Sequence, residues 1–472
     1  MQPLIERRCN ALKTYQDLLA VGENDRLRMD FIKECISKFE NSPEFRFAQD
    51  AQLYYRGENP TIARAQKLVW DMLGRAHIDT VSPNHKIFSK YFFSAVTEGT
   101  QYLLGNGVSF DNDSTKEKLG NDFDTKMQQL ADDAQVNGVA WCFWNKDHIE
   151  IFPYLQFIPL QDETTSAVMS GIRFWKLDKD KPLRAVLYEM DGFTEYVQNV
   201  GEDMQIAKPK RPYKLNVARF PDESLTEITG GENYPSFPII PLYYINQDSL
   251  LFGNRNALDA YDLMLSKMVN NVDEGNLIYW VLRNCNGMDA ADDEAFIANL
   301  LKSHVVHADS PNGEGADAEP HTIEAPVDGT ETGIQRIKKL LDDNFMVCDT
   351  ESIRAGNVTA TQIKAAYQKL DAKTAKFEYQ VIDFIQRLFV VAGIASDEKF
   401  SFKYDRATNR TEEITNIAQA AQFIDTETAT RLVLEALGKV DIVEEVLQRM
   451  EEEGRSRFNI TQQQQTAPTS AE

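Results

Sequence analysis

Apolar positions along the chain change texture three times. From Asp25 to Phe39 they recur at Leu27, Phe31, Cys35 and Phe39, an i, i+4 stripe that predicts a helix. The run from Leu53 to Pro60 closes in the turn residues Gly57, Glu58, Asn59 and Pro60. A second helix is predicted from about Lys86 to Leu104, stopped by Gly105-Asn106-Gly107. Between about residues 139 and 245 short alternating runs take over, among them 139–144, 171–175 and 184–188, and turn residues separate them. That texture predicts β-structure.

From residue 256 helical spacing returns. Leu258, Tyr261, Leu265, Met268 and Val272 predict one packed face, and Asp259, Asp262, Lys267, Asn270 and Asp273 fall on the other, predicted wet. Ile278-Tyr279-Trp280-Val281-Leu282 reads as a strand and residues 310–320 as a loop. A short helix resumes near Thr330 with Ile334, Ile337 and Leu341 inward. After a polar linker from Asn344 to Val358 comes the longest helix, opened by a Thr359/Gln362 capping box and closed by Gly393. Its seam runs Ile363, Tyr367, Leu370, Thr374, Phe377, Val381, Phe384, Leu388, Val391, for about 50 Å at 1.5 Å per residue. Ile382, Ile385 and Phe389 widen the apolar face of its second half. Thr411 to Glu452 reads as helix divided at Gly438, with Asp441 and Glu444 placed to cap the last piece. The Gln-rich tail from Thr461 has nothing to bury and is expected to be disordered.

Composition adds bounds. With 42% hydrophobic residues in 472, the chain can bury several cores, and its length suggests two to four domains. No apolar run is long enough to span a membrane. The first residues lack a signal-peptide core, so synthesis and retention in the cytoplasm are expected. Five scattered cysteines, Cys9, Cys35, Cys142, Cys285 and Cys348, suggest free thiols. Fifty basic against 73 acidic residues give a net charge of −23. That charge fits either an acidic protein with no nucleic-acid role or a surface that DNA must slide past without being held.

Candidate chemistry is sparse. The turn at Gly105-Asn106-Gly107-Val108 lacks the lysine and hydroxyl of a phosphate loop, and there is no GxSxG, HExxH or GxGxxG. Asp111 to Thr115 lacks the turn glycine of a calcium loop. His304 and His307, with His321 nearby, lack partners that would complete a metal set, and Asp292 and Asp293 read as solvated carboxylates. No catalytic residue, cofactor or metal is assigned, and no enzyme activity is expected.

The order of several short motifs resembles the portal family of tailed phages, of the type found in long non-contractile-tailed phages of Gram-positive hosts. The motifs are the 53–60 run; Asn84-His85-Lys86-Ile87 followed by 102–108; Asp132 to Ala140; 157–160; 171–175; 238–246; Leu258 to Asp262 with Ser266; and the stretches 424–428 and 440–445. The resemblance spans roughly residues 30 to 455. It implies an α+β subunit with a mixed α/β wing, a long helical stem, a small α/β clip and a C-terminal helical crown. By position these fall as an N-terminal segment 1–24, wing 25–255, stem helix 256–275, clip 276–328, second stem helix 329–344, tunnel loop 345–358, long wing helix and connection 359–410, crown 411–455 and tail 456–472.

The resemblance further implies a ring of twelve subunits at one capsid vertex of the virion, assembled in the host cytoplasm. The ring would be the channel for DNA packaging and ejection, without sequence specificity, and would dock the terminase motor, the head–tail adaptor, scaffold and major capsid protein, with no membrane partner. Candidate channel residues are Arg336, Lys338, Lys339, Arg354 and Asn357. The tunnel loop would comprise Phe345, Met346, Val347, Cys348, Asp349, Thr350, Glu351, Ser352, Ile353, Gly356 and Val358. Lys338 and Lys339 read equally as a solvated helix face pairing with Asp342 and Asp343. The alternatives to a portal are another virion adaptor or a helix-rich enzyme of unfamiliar type.

Overall fold

The computed structural model describes residues 13–70, 74–80, 82–219, 225–275, 278–282, 318–322, 327–353, 359–406, 410–421, 423–439 and 442–452. The chain divides into two compact units, Met1–Val347 with Lys373–Tyr404, and Cys348–Ala372 with Asp405–Glu472.

The first unit opens with four helices, α1 (Tyr15–Val21), α2 (Asp25–Glu40), α3 (Pro43–Arg56) and α4 (Pro60–Ala63). Each starts where a side-chain oxygen takes a backbone N–H of the first turn: Thr14, Asn24, Ser42 and Asn59. On α2 the buried stripe is Phe31, Ile32, Cys35, Ile36 and Phe39, whereas Leu27 is exposed. A two-stranded hairpin follows, β1 (Leu68–Trp70) with β2 (Ala76–Ile78). The chain from 82 to 90 is neither helix nor strand, and only then comes α5 (Tyr91–Leu104). The helix predicted from Lys86 therefore begins five residues later, because the preceding backbone finds other hydrogen-bond partners, described below.

β3 (Val108–Phe110), α6 (Asp113–Leu119) and α7 (Phe123–Asn137) lead into the sheets. β4 (Val139–Asn145) and β5 (His148–Phe152) form a three-stranded sheet with the later β13 (Ile239–Tyr243), β4 in the centre. β6 (Phe157–Gln161), β7 (Val168–Trp175), β8 (Leu183–Glu189), β9 (Gly192–Gln198) and β10 (Gln205–Arg211) make an antiparallel meander. β11 (Lys214–Arg219) and β12 (Leu225–Glu232) form a hairpin between β10 and β13. Helix α8 (Arg255–Gly275), the pair β14 (Ile278–Leu282) and β15 (Ala318–Thr322), and helix α9 (Val327–Phe345) complete the run.

The long helix α11 (Ala360–Ala392), preceded by the short α10 (Thr350–Ile353), has its later part in this unit. The capping box is present, with Thr359 N–H donating to Gln362 Oε1 at 3.0 Å and Gln362 N–H to Thr359 Oγ1 at 3.3 Å. Gly393 ends the helix at φ +68°, a left-handed conformation natural to glycine. Along the seam, Phe377, Val381, Phe384, Leu388 and Val391 are buried, and Ile385 and Phe389 join them. They pack in the largest core with Phe92, Leu103, Phe123, Leu130 and Leu242. Each such large side chain contributes about 1.5–3 kcal/mol by leaving water. A second core seats α2 on the meander through Ile158, Leu160, Ile172, Phe174 and Leu187. β16 (Phe400–Phe402) pairs with β3 and closes the unit.

In the second unit α12 (Arg410–Ala420), α13 (Thr426–Ala436) and a helix over 443–452 follow one another. Asp425 caps α13 by accepting from Thr428 N–H at 2.8 Å. Arg431 reaches Glu444 at 3.1 Å across the turn at Gly438, itself at φ +71°. Asp441, His304, His307, Asp292, Asp293 and the tail from Thr461 lie outside the described residues. Among the described residues, no helix is long and apolar enough to cross a membrane.

Candidate functional site

Three of the sequence motifs meet along α8. Two residues of the face expected to be wet are buried: Asp262 and Asn270 are exposed by only 1% and 5%, and Ser266 between them by 4%, whereas Val272 on the apolar stripe is exposed by 42%. The reason lies in the segment 82–90, which is neither helix nor strand. Ser89 N–H donates to Asp262 Oδ1 at 3.0 Å, Ile87 N–H to Ser266 Oγ at 2.9 Å and His85 N–H to Asn270 Oδ1 at 2.7 Å. Alternate amides of an extended chain stand about 6.6 Å apart, and acceptors one helical turn apart stand about 6 Å apart. The two spacings match, so the backbone of 85–89 is satisfied by a side-chain ladder instead of a strand or a helix. Ser266 Oγ also donates to Asp262 O at 2.8 Å, and His85 Nε2 pairs with Asp273 at the far end.

The start of α8 is fixed by the first motif. Asn59 caps α4 by accepting from Thr61 N–H at 3.0 Å and Ile62 N–H at 3.1 Å, and its Nδ2 donates to Asp262 Oδ2 at 2.8 Å. Tyr54 Oη donates to Asp259, and Arg255 pairs with Asp50 at 2.9 Å. Burial raises the Asp262 carboxyl, and the hydrogen bonds from Ser89 and Asn59 work against that rise. The Tyr54 phenol is pushed up to about 12, first by burial and then by its bond to Asp259.

α9 packs beside α8, and its Ile334 and Leu341 are buried. Two long-range contacts hold its C-terminal end. Tyr91 Oη donates to Asp342, and burial, reinforced by that bond, raises the phenol. Lys373 Nζ donates to the carbonyl of Phe345 at 3.0 Å, a cation on the negative end of the helix. Lys373 is exposed by 4%, and burial lowers its pKa to about 8.

Three of the candidate channel residues lie on α9. Arg336 and Lys339 are exposed on α9, and Lys338 is half-buried close enough to favour ionisation of Tyr261, whose pKa burial raises. Arg354, Gly356, Asn357 and Val358 lie outside the described residues.

Phe345, expected at the start of the loop, is the last helical residue and is fully buried, its ring 5.3 Å from that of Tyr91 and 6.0 Å from that of Phe92. An aromatic side chain facing a filled core stays with the helix, so the loop starts at Met346, which turns the chain at φ +52°. Val347 N–H returns to Asp342 O at 3.2 Å, and Cys348 is buried. Asp349 Oδ1 accepts from Ser352 N–H at 3.3 Å, starting α10, on which Thr350, Glu351 and Ser352 are exposed and Ile353 is half-buried.

Sequence reasoning missed Asp262, Ser266, Asn270, Asn59 and Lys373 as organising residues. The available signal was the i, i+4 spacing of three small hydrogen-bond acceptors, opposite an apolar stripe that itself contains exposed positions.

Comparison with known proteins agrees with the motif order. Residues 40–457 match the family model described as "Phage portal protein, SPP1 Gp6-like". The portal protein of Clostridium phage phiCD119 is 21% identical over 389 residues, covering 77% of this chain and 83% of that protein. The portal protein of Bacillus phage SPP1 is 22% identical over 359 residues, covering 70% of this chain and 66% of that protein. A solved structure described as "Neck of native GTA particle computed with C12 symmetry" aligns with a TM-score of 0.38 at 12% identity, over 79% of this chain and 96% of that one.

Proposed function

The chain belongs to the SPP1 Gp6-like family of phage portal proteins, and from that premise we propose which parts of the subunit carry the work of the ring. As a portal protein it forms the ring that serves DNA packaging and head–tail connection. The single observation that carries this function is the family match from residue 40 to 457.

In our reading twelve copies close the ring, residues 25–255 with the later half of α11 make the wing, and α8 with α9 make the stem. Residues 276–328 form the clip that docks the terminase and later the head–tail adaptor, 345–358 line the narrowest passage, and 411–455 make the crown. Scaffold and major capsid protein surround the ring, and double-stranded DNA passes without sequence recognition. The subunit has no catalytic role; the motor is a separate protein. What supports the stem assignment is the packed pair of 21- and 19-residue helices, locked at one end by Asn59, Asp262, Tyr91 and Lys373.

In this reading Arg336, Lys338, Lys339 and Arg354, together with Asn357, face the channel, the four cations being basic exceptions on an acidic wall. Lining a channel, they would give weak, salt-screened contacts to passing phosphates. The test is a head-filling assay with rings carrying Lys338→Glu and Lys339→Glu together, or Arg354→Glu. Shorter packaged DNA or faster loss of DNA is the expected result. Packaged length and retention equal to wild type in both sets of rings would remove the basic-contact role.

A further inference from the structure

Among the described residues of the first unit, one element leaves its apolar face exposed. β1 and β2 pair with Leu68 opposite Ile78, Val69 opposite His77 and Trp70 opposite Ala76, and all six positions are exposed. Side chains alternate across a sheet, so Leu68, Trp70, Ala76 and Ile78 share one face. That face is wholly apolar, with Leu68, Trp70 and Ile78 exposed by 54%, 70% and 55%. A two-stranded hairpin is marginal in water by itself, and contiguous exposed apolar surface marks a contact site.

Charge narrows what covers it. From Arg64 to Asp79, whose N–H bonds back to the Lys67 carbonyl at 2.9 Å, the sequence holds Arg64, Lys67 and Arg75 against Asp71 and Asp79, a net of +1 in a chain whose total is −23. An apolar face in a basic frame suits an acidic surface, and another copy of this chain presents one. Ring closure also guarantees such a neighbour, since a head-to-tail contact repeated around a closed ring gives every copy one donor and one acceptor site.

We propose that the β1–β2 hairpin is an assembly arm that lays its Leu68–Trp70–Ile78 face on the adjacent copy in the ring. The inference rests on the ring reading above.

The test places the photo-crosslinker p-benzoylphenylalanine at position 70 of the full chain and irradiates purified rings. The expected product is a ladder of covalently joined copies on a denaturing gel. Trp70→Glu and Ile78→Lys should raise the protein concentration needed for half-assembly by roughly tenfold or more. The circular dichroism spectrum and melting of the unassembled chain should stay unchanged. Rings of normal mass that give links only within one copy, with both variants assembling at the wild-type concentration, would overturn the arm and leave the ring intact. A wild-type chain that stays monomeric at every concentration would overturn both.

Discussion

At the scale of single residues, Lys373 is the least expected side chain in the structure. It sits beside the apolar seam of α11, between Leu370 and Thr374, and in sequence nothing separates it from a lysine on a wet face. Its burial depends on what lies opposite: Gly99, where an added Cβ would come within 3.6 Å of Nζ, and the Phe345 carbonyl. Burial holds its pKa at about 8, with Glu98 acting in the other direction. The unfolded chain keeps the proton up to about pH 10.4, so below pH 8 the folded state carries the whole desolvation penalty. Between those values the unfolded state binds more protons, and stability rises with pH. Lys373→Met should abolish that rise. In urea titrations of the unassembled chain, wild type should gain on the order of 2 kcal/mol over the variant between pH 7 and pH 10. Equal slopes for the two proteins would show that the ammonium is not held as described.

At the scale of elements, what the sequence revealed and what it hid have a common cause. The long helix was legible from its cap to its glycine stop, because a seam of apolar residues at helical spacing is a local signal. The start of α5 and the buried face of α8 were not, because both depend on residues far apart in the chain, His85 with Asn270 and Ser89 with Asp262. Hydrophobicity assigns Asp262 and Asn270 to water; the need of three backbone amides for acceptors assigns them to the interior. Two motifs quoted for the family resemblance, Asn84–Ile87 and Leu258–Ser266, are the two sides of this ladder. Asp262→Ala strands both the Ser89 amide and the Asn59 side chain. It should cost about 2–4 kcal/mol, at the upper end of what unsatisfied buried groups exact. Hydrogen exchange would report it locally: the amides of His85, Ile87 and Ser89 should be protected in wild type and lose protection together in the variant. Loss at Ser89 alone would mean the three bonds act separately.

At the scale of the whole molecule, the ring multiplies each subunit feature by the number of copies. Twelve chains of 53.7 kDa give about 644 kDa, and mass photometry of the purified protein should show that species. A closed ring of another mass would revise the subunit number, and monomer at all concentrations would contradict assembly by the chain alone. The side-chain ladder has a consequence at this scale. A helix gripped through residues one turn apart resists creep: a shift of less than a turn along its axis breaks three hydrogen bonds to part-buried amides, at about 1 kcal/mol each. Its axial position is therefore indexed, with a step of about 6 Å between successive acceptors. In the proposed ring, with this helix in the stem, such indexing repeated in every copy would give the stem helices a common height, levelled by the geometry of one hydrogen-bonded rail.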